Sequence, residues 1–198
     1  MSSTCRSSLG LNPLPQRVVV VGTSCCGKSV FSQQLARLLG CPRVELDELF
    51  WGPEWTPKPG QEFRRLIATA AAAPRWVAEG NYGRIRDLLW PRATTIIWLN
   101  YGFPTVFFRA LRRTLRRSIT GEALWHGNRE SVVRSFFSRD SILVWVATTF
   151  HRRRRELDAL RAGGNYPHVT WVEFRRPSDA ARYLRSLEGL STNSAQNA

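Results

Sequence analysis

The sequence predicts an α/β fold in which a five-stranded parallel sheet is flanked by helices. Three observations lead there. Short β-branched runs alternate with amphipathic helical stretches along the chain, the pattern of βαβ units. The first run, Val18 to Val21, is apolar at four consecutive positions, as a strand covered on both faces requires. A glycine-containing turn then joins that strand directly to a helix.

Each element follows from its own signal. The first strand stops at Gly22, and a helix is expected over Lys28 to Leu39, with Val30, Phe31, Leu35, Leu38 and Leu39 on one stripe and Gly40 as its stop. A short strand, Arg43 to Leu46, delivers Asp47 at its carboxyl end. Residues 50–60 carry Trp51, Pro53, Trp55, Pro57 and Pro59, too much proline for regular structure, and read as a surface loop. Gln61 to Ala73 has helical spacing, and Trp76 to Ala78 is a strand leading into Glu79-Gly80-Asn81. A fourth strand is expected over Thr94 to Leu99 and a fifth over His168 to Phe174. Helices fill 103–118, 139–161 and 178–188, with 119–138 an irregular excursion. Residues 1–15 and 189–198 lack periodicity and read as flexible ends of one domain, 16–188.

Composition narrows the classes. With 198 residues, 43% hydrophobic and 22% charged, the chain suits one folded unit and excludes a disordered one. Its longest apolar stretches, such as Ser141 to Phe150, fall short of the ~20 residues that cross a bilayer, so no membrane partner is expected. The net charge is +14, and residues 109–155 hold twelve arginines against Glu122, Glu130 and Asp140, which points to an anion site there. Cys5, Cys25, Cys26 and Cys41 lack metal-ligand spacing and no secretory segment opens the chain, so reduced thiols and a cytoplasmic protein are expected. Trp98, Trp145 and Trp171 lie in apolar runs and read as core, whereas Trp51, Trp55 and Trp125 lie on expected loops and could meet a ligand. His126, His151 and His168 read as surface residues.

The chemistry concentrates in Gly22-Thr23-Ser24-Cys25-Cys26-Gly27-Lys28-Ser29, a full G-x-x-x-x-G-K-S match placed after a strand and before a helix. Its glycines let consecutive backbone N–H groups turn toward one anion, and the helix start adds the positive end of its dipole. Lys28 would reach the β and γ phosphates of a nucleotide, and the Ser29 hydroxyl would ligate Mg²⁺. No guanine-reading motif is present, which leans the reading toward ATP.

On these residues the chain resembles the adenylate-kinase-related P-loop kinases. Leu46-Asp47-Glu48-Leu49-Phe50-Trp51, Trp76-Val77-Ala78-Glu79-Gly80-Asn81-Tyr82 and Thr114 to Trp125 resemble more narrowly the FlaR-like topology modulation group. The resemblance covers residues 17 to 176 and implies a P-loop NTPase fold with an Arg-rich lid at about 113–139 and an acceptor side at 47–75. It implies that Arg109 and Arg113 flank the adenine and phosphates, and that one or more of Arg152 to Arg155 contacts phosphate. Asp47 would hold or deprotonate an acceptor hydroxyl, the alternative being a helix N-cap. Glu79 would orient Mg²⁺-bound water, the alternative being a solvated strand-end residue. Arg84, in a turn one residue longer than the related one and without its proline, would grip an acceptor phosphate. Asn100 stands where relatives often carry an aspartate, so the carboxylate on the Mg²⁺ side falls to Glu79 or Asp47.

Two functions compete on this reading. One is a small-molecule or nucleotide kinase that transfers the γ-phosphoryl group of ATP. The other is a nucleotide-dependent nucleic-acid-binding protein whose arginines grip a phosphate backbone. A third, an ATPase switch acting on a partner, has no further handle in the sequence. The acceptor and the oligomeric state are not legible in it.

Overall fold

The computed structural model describes residues 14–120 and 142–196. Five parallel strands form one sheet in the order β2-β3-β1-β4-β5: β1 is Arg17–Gly22, β2 Arg43–Glu45, β3 Trp76–Glu79, β4 Thr95–Leu99 and β5 Thr170–Phe174. Between them run α1 (Lys28–Leu39), α2 (Leu46–Phe50), α3 (Gly60–Ala71), α4 (Arg86–Leu89), α5 (Phe103–Thr120) and α6 (Ile142–Ala162), and α7 (Pro177–Gln196) closes the chain.

Strand alternation sorts the core into two layers. Val18 and Val20 of β1, Val77 of β3 and Ile97 and Leu99 of β4 face α1, α5 and α7 and pack on Phe31, Leu35, Val106 and Leu184. Val19 and Val21, Ala78, and Ile96 and Trp98 face the opposite way, onto Phe63 and Ile67 of α3, Leu89 and Leu157. The central strand is therefore apolar from Val18 to Val21 because both of its faces are covered there.

Several expectations shift. Val30 is 62% exposed; the inward stripe of α1 is Phe31, Ser32, Leu35, Ala36 and Leu39, since a helix start carrying a loop on one side turns residue 30 outward. β2 ends at Glu45 and α2 begins at once, so Asp47 lies in the first turn of a helix whose N-cap is Glu45; the N-cap reading of Asp47 is corrected. The 50–60 segment is more ordered than its prolines suggest: a single 3₁₀ turn, Pro53–Trp55, is closed by a bridge between Trp51 and Pro57. α7 continues through Gln196 instead of stopping at 188. Most of the expected lid, with Trp125 and His126, lies outside the described residues, as does Cys5.

Candidate active site

The phosphate loop is assembled by backbone conformation. Gly22 has φ +149, Cys25 φ +63 and Gly27 φ +100. A Cβ at Gly22 would stand 2.7 Å from the Leu99 carbonyl oxygen and 2.8 Å from Cys26 Sγ, so glycine is the only residue that fits between β1 and β4. Cys26 is fully buried and its thiol is pushed up by burial, which makes it a packing residue under the loop. Lys28 Nζ donates to the carbonyls of Gly22 and Thr23, both at 3.1 Å, which holds the ammonium over the loop. Ser29 is exposed at the start of α1.

Arg109 reaches this loop from α5. Its Nη1 donates to the Cys26 carbonyl at 2.6 Å and its guanidinium lies 5.2 Å from the centroid of the Tyr101 ring. Burial, with the neighbouring Cys26, pushes the Tyr101 phenol up to about 12 against the opposing pull of Arg109. Arg113 follows one turn later on α5 and is half-buried.

The facing wall is built from side chains. Tyr82 Oη donates to Asp47 Oδ1 at 2.6 Å. The Tyr82 ring is wedged against Phe50 and Phe63, with centroids 5.0 and 5.3 Å away. Burial first, then the Asp47 carboxylate, drives the Tyr82 phenol far above its ordinary range, so it stays a proton donor to Asp47. The loop and these side chains border one cavity of about 180 Å³, lined by Ser24 and Lys28 of the loop, by Asp47, Gly80, Asn81 and Tyr82, and by Trp145 and Arg153 of α6.

The structure thus selects Arg153 from the run 152–155. It pairs with Glu156 at 3.0 Å, and Glu156 also takes Arg86 at 2.8 Å. Burial raises the Glu156 carboxyl, but the two guanidinium hydrogen bonds prevail and hold it below the usual carboxylate range. Arg152 and Arg155 point to solvent. Trp145 is corrected: it is 44% exposed and borders the cavity, because an apolar run in a helix beside a ligand-sized space need not be core. Trp98 is core, and Trp171 is partly buried against Trp90. His151 and His168 are exposed, as expected.

Glu79 is 4% exposed, which excludes the solvated reading. Its Oε1 accepts from Arg43 Nη2 at 2.7 Å, and the same nitrogen lies 2.8 Å from Glu45 Oε2. Arg43 Nε also donates to Ser32 Oγ at 3.0 Å, so the guanidinium fastens β2 to β3 and α1. Arg84 is exposed and is not among the cavity-lining residues; Arg86, two positions on, is the arginine of this turn that points inward, lying 4.9 Å from the Trp90 ring centroid. Asn100 is buried, and its Nδ2 donates to Glu173 Oε1 at 2.7 Å; Glu173 also accepts from Arg175 and Arg161. An aspartate there would face Glu173 with like charge. The contacts of Asn81, Tyr82 and Trp145 had no sequence signal of their own beyond lying in or near quoted segments.

The loop meets the demands of a triphosphate: a glycine cradle that a Cβ would fill, an ammonium at its centre and an exposed hydroxyl at the helix start. Among the described residues no three His, Cys, Asp or Glu side chains cluster to hold a metal ion.

No family model and no curated protein matches this chain. Solved structures do. A shikimate kinase from Bacteroides thetaiotaomicron is similar at 15% identity over 89% of this chain and 98% of its own, with a TM-score of 0.50. A gluconokinase from Sinorhizobium meliloti 1021 is similar at 17% identity over 92% of this chain and 95% of its own, with a TM-score of 0.49. Together with the parallel sheet and the loop that follows β1, the first of these places the chain in the fold of the P-loop kinases.

Proposed function

We propose that this protein is an ATP-dependent phosphotransferase acting on a small hydroxyl-bearing acceptor. The observation that carries the reading is that the Lys28 ammonium of the glycine loop and the Asp47 carboxylate, which is held by Tyr82, line one cavity of about 180 Å³. Phosphoryl transfer asks a protein mainly to position two reactants and to neutralise charge, and this cavity has a wall for each. The name of one similar structure, a shikimate kinase, agrees with that class of acceptor.

Bound Mg·ATP supplies the transferable phosphoryl group and the charge that draws its oxygens into place. The loop from Gly22 to Gly27, with the first amides of α1, would cradle the phosphates; Lys28, now on the Gly22 and Thr23 carbonyls, would turn to phosphate oxygens, and the Ser29 hydroxyl would ligate the metal. Tyr82 holds Asp47 through Oδ1, so Oδ2 is the atom that takes the acceptor's hydroxyl proton. Arg153, already balanced by Glu156, lines the same cavity as a second positive group. Arg109 acts on the nucleotide through the loop it braces, and Arg113 approaches from the same helix face. Glu79 would serve the metal side of the site from within its pair with Arg43, which leaves Asp47 to the acceptor. The nucleic-acid alternative is not favoured, since Arg109 is engaged by the loop at the Cys26 carbonyl and Arg153 by Glu156 beside the cavity. The likeness to the topology modulation group rests on segments around Asp47 and Tyr82 that form the acceptor wall, and a cytoplasmic location suits the same reading. Among the described residues no helix is long and apolar enough to cross a membrane.

The test is ADP release from Mg·ATP with a panel of hydroxy acids, sugars, nucleoside monophosphates and DNA, with Lys28→Ala as control. Stimulation by one small acceptor, lost in Lys28→Ala, is the expected result. Stimulation by DNA alone, or activity that survives in Lys28→Ala, would overturn the assignment.

A further inference from the structure

β3 leaves the sheet one step before its neighbour does. Along β1 the even-numbered residues turn their backbone groups toward β3: Trp76 N–H donates to the Gln16 carbonyl at 2.9 Å, and Gly80 N–H to the Val20 carbonyl at 3.2 Å. Gly22 is next in that series, and β3 ends at Glu79. Gly80 turns away with φ +141, packed so closely on Leu46 that a Cβ there would lie 3.0 Å from two of its side-chain carbons.

The Asn81 side chain fills the missing rung. Its Oδ1 accepts the Gly22 N–H at 3.2 Å, and its Nδ2 donates to the Gly22 carbonyl. An amide presents an acceptor and a donor side by side, as a strand backbone does, and so continues the ladder where the strand cannot. The Gly22 carbonyl is also one of the two that hold Lys28 Nζ. Both lone pairs of this buried oxygen are therefore in use, one by Asn81 and one by the lysine.

We infer that Asn81 is a positioning residue of the phosphate site: by keeping the Gly22 carbonyl satisfied, it lets Lys28 transfer its ammonium to a nucleotide phosphate without stranding a buried acceptor. This rests on the nucleotide-binding reading above. Without the amide, the lysine either stays on the loop or leaves Gly22 bare, and a stranded buried acceptor shifts a binding constant by about tenfold or more.

The experiment is equilibrium titration of Mg·ATP, by displacement of a fluorescent ATP analogue up to millimolar concentrations, in the wild type, Asn81→Ala, Lys28→Met and the double variant, with thermal melts of each free protein. Asn81→Ala is expected to weaken Mg·ATP about tenfold in the wild-type background and less than about twofold in Lys28→Met, where no ammonium needs releasing. Unchanged affinity in Asn81→Ala overturns the inference. So does an equal loss in both backgrounds, which marks a purely structural role. Absence of Mg·ATP binding by the wild type is a separate failure: it removes the nucleotide reading itself, and the inference with it.

Discussion

The two walls of the cavity are made by different means. The donor wall, Gly22 to Ser29, is contiguous in sequence and shaped by backbone torsions, with Gly22 and Gly27 at positive φ and Lys28 folded onto its own loop. The acceptor wall joins Asp47 at the start of α2, Tyr82 after β3, and Phe50 and Phe63 on α2 and α3, through side chains distant in sequence. A backbone-built wall tolerates few residue types at its turns. A side-chain-built wall can change its ligand by exchanging one or two side chains while the sheet beneath stays as it is.

That contrast can be broken or sharpened by substitution. Lys28→Ala should have the largest effect, lowering turnover about 10²- to 10³-fold through lost charge stabilisation, with the melting curve of the free protein little changed. Asp47→Asn should lower kcat about 10²-fold while the Mg·ATP dissociation constant stays within twofold; equal damage to nucleotide binding would mean the walls are not separate. Gly22→Ala should act on the fold, destabilising by about 2 kcal/mol or more in urea titrations through forced φ and overpacking. If it were silent, the donor wall would not depend on backbone torsion. Tyr82→Phe should be mildest, removing one hydroxyl and keeping the ring on Phe50 and Phe63. Turnover with the identified acceptor should fall about fivefold to tenfold, again at constant Mg·ATP affinity.

Legibility in the sequence follows the same division. The donor wall could be read residue by residue because its parts are adjacent and its glycines are forced. β1 could be read because burial on both faces leaves an uninterrupted apolar run, and α1 because its covered face leaves a stripe, Val30 apart. The acceptor wall was legible only as isolated letters. Asp47 was found, but its partner Tyr82 lies 35 positions away and is brought to it by the pairing of β2 with β3. The resemblance gives the carboxylate on the Mg²⁺ side as Glu79 or Asp47, and the engagement of Glu79 by Arg43 is not legible because it depends on that same strand pairing. Arg153 could not be told from its three neighbours, since four consecutive arginines span a whole helical turn and only packing decides which faces inward. Trp145 reads as core from its apolar run but borders the cavity, because hydrophobicity reports what avoids water and not what will cover it.

The ion pairs described for β2 and β5 also bear on how copies of this chain meet. These are the two margins of the sheet, where a strand has a neighbour on one side only. One is three residues long and carries Arg43 and Glu45; the other carries Glu173 between Arg161 and Arg175. Short, charged margins are poor templates for a further strand, because a docking chain must displace or bury charge before its backbone can pair. A sheet so rich in β-branched residues at its centre thus meets a second copy with charge at both of its borders.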